Sequence, residues 1–283
     1  MIITGPLAGG PAPKAVDMKV SIIGAGHLAW HLAKALERAE VAVNEIYARD
    51  IRKAAALADA LYAAVPVNHL DFTLSKSEVF FLCISDDALE TVAPRLLLPD
   101  GAVLAHTSGA RPLSVLNGAV SPYHGKRVDC GVFYPLQTFS REVPVDFDQI
   151  PLLVESADAR ALATLTALAQ RLSRKVLRVN GHERLVYHVS AVFSCNFTNH
   201  LWAMSKEILE SENLDFGLLK PLIVETVNKM MEAAHPADGQ TGPALRNDRQ
   251  TLEAHRRFLQ DDEDLIRVYT TLSESIADWH RPA

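Results

Sequence analysis

The chain has 283 residues, 48% of them hydrophobic and 22% charged, and its formal net charge is −6. That length predicts about two domains, each large enough for its own core. The acidic balance and the lack of any dense Lys/Arg run argue against nucleic acid as the main partner, and no segment approaches the ~18 uninterrupted apolar residues of a membrane helix.

Three cysteines, Cys83, Cys130 and Cys195, stand in apolar runs and in no CxxC spacing. An odd number of isolated thiols is typical of a reducing compartment, so we expect the protein to be cytoplasmic. Residues 1–17 are rich in Gly, Pro and Ala and lack the basic start and long apolar region of a secretory signal. We interpret them as a flexible N-terminal extension.

Between residues 18 and 180, short β-rich runs alternate with helical stretches. This alternation predicts an α/β Rossmann-type fold, with a doubly wound, mostly parallel sheet and helices on both faces. The predicted strands are 20–23, 44–48, 79–85, 102–108, 128–134, 151–156 and 175–179, and the longer helices are 27–39, 51–63 and 157–172.

The pattern changes near residue 180, which we take as the boundary between an α/β domain, 18–180, and an all-α C-terminal domain, 181–283. The run 182–210 contains no Gly or Pro. Helical periodicity continues over the rest of the second domain, at 218–234, 249–260 and 263–280.

The sequence GAGHLA directly follows the first predicted strand and opens the first helix, the context in which GxGxxA is typical of dinucleotide binding. Gly24 would permit the tight turn, Gly26 would let a pyrophosphate approach the backbone, and Ala29 would keep the helix close to the sheet. The N–H groups of His27 and Leu28, at the positive end of the helix, would attract the phosphates. The first domain is therefore predicted to bind NAD(P).

The residues after the second strand distinguish the two cofactors, because an acid there binds the ribose hydroxyls of NAD and an Arg accommodates the extra phosphate of NADP. Arg49 stands at the end of that strand, with Arg52 and Lys53 close behind. Asp50 could be the acid, but it is equally placed to cap the next helix. We predict NADP, with NAD less favoured.

His27 and His31 are four residues apart on the first helix and therefore share a face, as metal-binding pairs do. No third ligand is suggested nearby, and His27 falls inside the glycine turn. We expect no metal site.

Three other predicted strands end in polar or tightly turned residues, at the carboxyl ends where ligands bind in open α/β sheets. Ser85 and Asp86 follow one strand, Ser108 the next and Gln137 the third. Helix capping and simple turns are the alternative explanation. Their joint occurrence at one edge favours a site, with Ser85 and Asp86 facing the cofactor and Ser108 and Gln137 facing the substrate.

The first long helix of the second half carries His188, Asn196 and Asn199 within about a third of its circumference, although the rest of it is apolar. Burying such groups is costly unless they find partners. A contact with a neighbouring helix or a dimer interface would explain them. The functional explanation is that His188 exchanges a proton near neutral pH while an Asn orients a carbonyl or imine.

A turn-rich segment, TGPALRND, precedes the helix predicted at 249–260. Arg246, beside a helix N-terminus, would suit an anion such as a substrate carboxylate or a cofactor phosphate. Asp248 is a natural N-cap for that helix, which explains it without a ligand. Both are candidate substrate-binding residues.

Four segments, VSIIGAGHLAWHLAKAL, GVFYPLQTFS, HVSAVFSCNFTNHLWAM and TGPALRND, together resemble bacterial Rossmann-like proteins with a C-terminal helical domain of unknown function, often labelled NADP oxidoreductases. The resemblance spans essentially 18–280. It places the chain near the 6-phosphogluconate dehydrogenases, the pyrroline-5-carboxylate reductases and the deazaflavin-dependent NADP reductases. It implies an active site in a cleft between the domains, a small-molecule substrate, and a homodimer formed through the helical domain.

The β-hydroxyacid dehydrogenases of this group carry a Lys followed four residues later by Asn on the first long helix. The matching positions here are His188 and Val192, and Asn196 comes only at eight. The resemblance therefore implies keto or imine reduction with His188 as proton donor. In the family pattern GPxxRGD this chain has Asn247 where Gly is usual, and we expect the loop to persist with a slightly different backbone.

We therefore predict an NADP-dependent oxidoreductase that transfers hydride between NADPH and a small keto or imine substrate, with His188, Asn196 and Asn199 as catalytic residues. Two alternatives stay open. A non-catalytic NADP-binding module could use its helical domain to contact a partner, and a reductase could take a flavin or deazaflavin as second substrate.

Overall fold

The computed structural model describes residues 18–119 and 127–281, so the predicted extension at 1–17 lies outside the described residues. The strands are β1 (Lys19–Ile23), β2 (Ala42–Tyr47), β3 (Val65–Val67), β4 (Val79–Leu82), β5 (Ala102–His106), β6 (Val128–Pro135), β7 (Leu152–Glu155) and β8 (Val176–Arg178). The α-helices are α1 (His27–Arg38), α2 (Ile51–Ala58), α3 (Asp86–Val92), α4 (Ala159–Leu172), α5 (Gly181–Ala191), α6 (Thr198–Ser211), α7 (Lys220–Glu232), α8 (Arg249–Phe258) and α9 (Glu263–Trp279).

The strands of the described residues form one sheet in the order β3-β2-β1-β4-β5-β6-β7-β8. Neighbouring strands are parallel except β6 and β7, which pair antiparallel. Val20 of β1 pairs with Val43 on one side and Val79 on the other, so β1 is an interior strand, third from one edge. The winding reverses between β1 and β4. The predicted fold, a doubly wound and mostly parallel sheet, is confirmed.

Two features of the sheet were not predicted. The edge strand β3 has three residues and contains Pro66, which cannot donate a hydrogen bond to a ladder and is tolerated at a sheet edge. The orientation of β7 was also missed, because a short apolar run carries no sign of the direction in which it will pair.

Both faces of the sheet are buried, as its continuous apolar strands require. One core cluster lies under α1, α2 and α4 and includes Phe81, whose ring centroid is 5.0 Å from that of Phe133. The other includes Leu89 of α3 and Phe80, whose ring is 5.5 Å from that of Phe72. Successive side chains of β4 thus point into opposite cores, as the period of two dictates.

The helices that pack on this sheet differ in how they begin. Asp50, Asp158 and Asn180 precede α2, α4 and α5, and each side chain accepts a hydrogen bond from a backbone N–H of the first turn. Gly26 and Ser85 precede α1 and α3 without such a bond. The uncapped helices follow β1 and β4, the strands between which the winding reverses.

The chain divides into two compact units, Met1–Cys195 and Asn196–Ala283. The division falls within a π-helical segment, Val192–Phe197, on the C-terminal side of the boundary predicted at residue 180. Of the described residues of the second unit, only Ala244 and Ser273 are buried. Within the described ranges, no helix is both long and apolar enough to cross a membrane.

Candidate functional site

The two glycines of the turn after β1 have different surroundings. Gly24 has a φ of +129°, and a Cβ there would lie 2.0 Å from the carbonyl oxygen of Cys83. Its N–H donates to the carbonyl of Tyr47 at 2.8 Å, so the turn is held against both neighbouring strands. Gly26 has a φ of −82°, and a Cβ on it would meet no atom within 4 Å. The backbone at Gly26 therefore has open space beside it, and its predicted contact with a pyrophosphate stays a prediction.

A cavity of about 460 Å³ opens beside this turn. Its lining residues are Ala25, Gly26, His27, Trp30, Asp50, Arg52, Lys53, Ala56 and Arg141. Three of the nine are cationic, so the cavity suits an anion. Arg49, predicted to bind the cofactor, is exposed and is not among the described residues that line it.

Asp50 is fully engaged within its own turn. Its carboxylate accepts hydrogen bonds from the backbone N–H, Nε and a terminal nitrogen of Arg52, at 3.1, 3.0 and 2.9 Å. These bonds hold the pKa of Asp50 below its usual value. Of the two roles considered for Asp50, capping of α2 is the one that its contacts support.

The histidines of α1 bind the segment that follows β6. His27 Nδ1 lies 3.2 Å from the carbonyl oxygen of Phe139, and His31 Nε2 lies 2.8 Å from that of Ser140. Both rings are thereby used in holding backbone. No group of three or more metal-ligating side chains is found among the described residues.

Farther along the same edge of the sheet, Tyr134 at the end of β6 contacts His188 of α5. The Tyr134 hydroxyl is 2.9 Å from His188 Nδ1, and the two rings meet edge to face with centroids 5.8 Å apart. Gly109 packs against both, because a Cβ on it would lie 2.5 Å from His188 Nδ1 and 2.7 Å from Tyr134 Cζ. The residue after Ser108 therefore has to be small for this pair to form.

The Tyr134 hydroxyl is protonated at neutral pH. Burial raises its pKa to about 12, opposed by the charge of Arg184 and assisted by that of Asp86. Asp86 follows β4, whereas Tyr134 is the last residue but one of β6. Ser85 is exposed, and its side chain does not cap α3.

Arg184, in the first turn of α5, binds both the loop after β5 and the end of β7. It is 1% exposed, and one terminal nitrogen donates to the carbonyls of Ser108, Gly109 and Arg111 at 2.8–3.0 Å. Its Nε donates to Glu155 of β7 at 3.0 Å. Sequence reasoning missed this residue. No pattern in the sequence indicated its burial, because Arg184 stands in the polar stretch GHER that opens α5.

His106 and Ser108 lie directly beneath this edge. The Ser108 hydroxyl accepts from the N–H groups of Ala110 and Arg111, at 3.1 and 2.9 Å, so it shapes the turn. His106 Nδ1 accepts from the Ser108 N–H at 3.2 Å. Burial, followed by the charge of Arg184, lowers the pKa of His106 to about 3, so this histidine is neutral. Gln137 is exposed and accepts from the N–H of Thr138 at 2.8 Å.

The remaining predicted site residues belong to the second unit. Asn196 and Asn199 are exposed on the single chain, as are the apolar neighbours Phe193 and Phe197, at 65% and 47%. The catalytic roles predicted for the two asparagines stay predictions. Arg246 is exposed.

The turn after Arg246 keeps its form with a substituted residue. Asp248 caps α8, accepting from the N–H and hydroxyl of Thr251 at 3.2 and 2.8 Å. Asn247 has a φ of +53°, the left-handed conformation that glycine adopts most readily and that Asn tolerates. The binding roles predicted for Arg246 and Asp248 stay predictions.

Fold and site together define a Rossmann-type α/β protein with a glycine turn at the switch point of its sheet and a helical C-terminal unit. Residues 5–121 match the Rossmann-like domain, and residues 150–276 match a domain of unknown function, DUF2520. The chain belongs to the family of Rossmann-like proteins that carry this C-terminal domain.

Solved structures of similar chains extend over the whole molecule. One named putative NADP oxidoreductase, from Bacteroides fragilis, is 35% identical, with 94% of this chain and 100% of that chain covered and a TM-score of 0.81. A Thermotoga maritima protein is 25% identical over 92% and 98% of the two chains, with a TM-score of 0.64. A reductive aminase from Aspergillus terreus, in complex with NADPH and ethyl-5-oxohexanoate, shares the fold at 13% identity, 93% and 99% coverage and a TM-score of 0.67. No curated protein matches the sequence.

Proposed function

We propose that this protein is an NADP-dependent oxidoreductase that reduces a small keto or imine substrate. The observation that carries the proposal is the Tyr134–His188 pair, a proton-carrying dyad on the edge of the sheet where the glycine turn also lies. The name of the Bacteroides fragilis relative supports NADP as the cofactor. The Aspergillus terreus reductive aminase, whose fold is similar, binds NADPH.

The residues at the turn fit a dinucleotide. Gly26 leaves the backbone open where a pyrophosphate would approach, and α1 begins without a side-chain cap, so its first N–H groups are available. Arg52 and Lys53 line the same cavity and can neutralise phosphate charge. Asp50 already accepts three hydrogen bonds from Arg52, which makes its carboxylate less available to the ribose hydroxyls of NAD. This set of residues favours NADP.

NADPH, when bound, supplies the hydride that reduces the C=O or C=N carbon. The chain supplies the proton that the substrate oxygen or nitrogen must receive. With the protonated Tyr134 hydroxyl donating to His188 Nδ1, the imidazole carries its own proton on Nε2 and can deliver it. The Tyr134 proton can then move to His188 Nδ1, and solvent returns a proton to the Tyr134 oxygen before the next turnover. Gly109 and Arg184 fix the positions of these two rings.

Four further parts of the proposal concern the helical unit, the partners and the compartment. Asn196, Asn199 and Arg246 would orient the substrate and hold its anionic group. The helical unit would form a homodimer, since few of its described side chains are buried. We place the protein in the cytoplasm, where its three free thiols would stay reduced. Its partners would be small molecules and a second copy.

The test begins with titration of the purified protein with NADPH and NADH, in which binding is monitored by fluorescence. We expect micromolar NADPH binding and NADPH consumption with a panel of cyclic imines and small ketones. His188→Ala and Tyr134→Phe should each lower turnover, by about 100-fold for His188→Ala, while NADPH affinity stays within about twofold. Failure to bind either nucleotide overturns the proposal. If the protein binds NADPH but turns over no substrate, and both variants bind NADPH as the wild type does, a non-catalytic NADP-binding module would be favoured.

A further inference from the structure

Arg141 reaches the cofactor cavity from a part of the chain distant in sequence from the glycine turn. It lies on the segment that follows β6, whose backbone is bound by His27 through Phe139 and by His31 through Ser140. Its guanidinium carbon is 4.2 Å from the centre of the Trp30 ring. These contacts hold the guanidinium against α1, where it lines the cavity together with Arg52 and Lys53.

The three cations of this cavity are not equivalent. The charge of Arg52 is compensated by Asp50, with two guanidinium nitrogens at 3.0 and 2.9 Å from its carboxylate oxygens. Neither the Lys53 ammonium nor the Arg141 guanidinium forms a hydrogen bond or ion pair with any residue that the structure describes, although the Lys53 charge helps to lower the pKa of Asp50. Their two charges match those of a phosphate monoester, which carries between about 1.5 and 2 negative charges at neutral pH.

We propose that Arg141 is a specificity-determining residue for NADP over NAD, completing with Lys53 and Arg52 a pocket for the 2′-phosphate of the adenosine. This inference rests on the proposed function, since it concerns the cofactor assigned there. A guanidinium suits the role because it can donate two parallel hydrogen bonds to phosphate oxygens while its plane rests on an aromatic ring. The signal in the sequence was weak, because Arg141 is far from the second strand.

The chain offers a matched control on the same aromatic ring. Lys34 places its Nζ 4.3 Å from the centre of the Trp30 ring, but it lines a neighbouring cavity, which Trp30 and Arg141 also line, and not the one beside the glycine turn. Lys34→Met and Arg141→Met therefore remove one positive charge each from the surroundings of Trp30. Only the second removes a charge that faces the cofactor cavity.

The experiment is calorimetric titration of the wild type and both variants with NADPH, NADH, 2′,5′-ADP and 5′-ADP at one fixed ionic strength. Arg141→Met should weaken NADPH and 2′,5′-ADP binding about tenfold and leave NADH and 5′-ADP within about twofold. Lys34→Met should leave all four within about twofold. Arg141→Glu, which reverses the charge at an exposed position, should lower the preference for NADPH further, and thermal unfolding checks that each variant is folded.

The outcomes separate this inference from the proposed function. If the wild type prefers NADPH and Arg141→Met and Arg141→Glu keep that preference, the role of Arg141 is overturned and the proposed function stands. An equal effect of Lys34→Met also overturns it, since a general loss of positive charge would then explain the result. If the wild type binds no nucleotide, the proposed function fails and this inference with it.

Discussion

At the scale of single residues, we expect substitutions of Gly24 and Gly26 to have different effects, although the two glycines stand two positions apart. The first should lower stability, and the second should weaken NADPH binding. Gly24→Ala should lower the free energy of unfolding by about 3 kcal/mol or more, because a Cβ would collide with the Cys83 carbonyl and φ is +129°. Gly26→Ala should cost less than about 1 kcal/mol, since its φ is ordinary and its surroundings are empty. It should nevertheless weaken NADPH binding at least tenfold by occupying the space of the pyrophosphate.

Urea unfolding and NADPH titration of the two variants, side by side, check this prediction. Each glycine serves as the control for the other, because one variant reports on the backbone and the other on the ligand. Wild-type NADPH affinity in Gly26→Ala would show that no phosphate approaches this side of the turn, and the cofactor site would have to lie elsewhere.

Among the site residues, those that depend on local spacing could be predicted from the sequence, and those that depend on distant contacts could not. The glycine turn is visible because its strand, turn and helix are contiguous. Tyr134 and His188 are 54 residues apart, and nothing in either segment indicates that the two rings meet. Arg141 is recognisable as part of the cofactor cavity only once the segment after β6 is seen against α1.

At the scale of secondary structure, one side chain, the Arg184 guanidinium of α5, binds both the end of β7 and the loop after β5. Arg184→Met should remove the guanidinium that binds Glu155 and three loop carbonyls, leaving a carboxylate that is 16% exposed without its cation. Breaking a buried pair in this way typically costs about 3–5 kcal/mol. We expect a loss of stability in that range and faster hydrogen exchange at residues 108–111.

Arg174→Met is the matched control, since Arg174 is 80% exposed and pairs with Asp148 at the surface. Its loss should change the free energy of unfolding by less than about 1 kcal/mol. The two variants are compared by urea unfolding and by hydrogen exchange. Equal effects would mean that the Arg184 contacts add little to the loop.

Helices and strands were predicted well where periodicity and capping residues agree. They were predicted less well where pairing within the sheet determines whether a strand forms or in which direction it runs. The start of α5 is indicated in the sequence by Asn180 and Glu183, which form a capping box. β3 could not be predicted, because three residues around Pro66 become a strand only by pairing with β2. The direction of β7 is likewise set by its pairing with β6.

At the scale of the whole molecule, the helical unit buries few of its described side chains within the single chain. Most helical stability comes from packing an apolar face, yet α6, α7 and α8 contain no buried residue. On α7, Val224, Val227 and Met231 are 58%, 40% and 74% exposed and share one face. Exposed apolar faces of this kind mark a protein–protein interface. A second copy of the chain is the occupant that our proposal assigns to them.

The last prediction tests that assignment through charge on α7. Val224 and Met231 are seven residues apart and share a face, so Val224→Glu with Met231→Glu should bury two carboxylates in the interface and separate the copies. Lys229→Glu, placed about 140° around the helix, should leave the assembly intact. Sedimentation equilibrium should give twice 31.0 kDa for the wild type and the control and one chain mass for the double variant. A wild type that sediments as one chain at micromolar concentration would contradict the dimer, and the exposed faces of α7 would then need another partner.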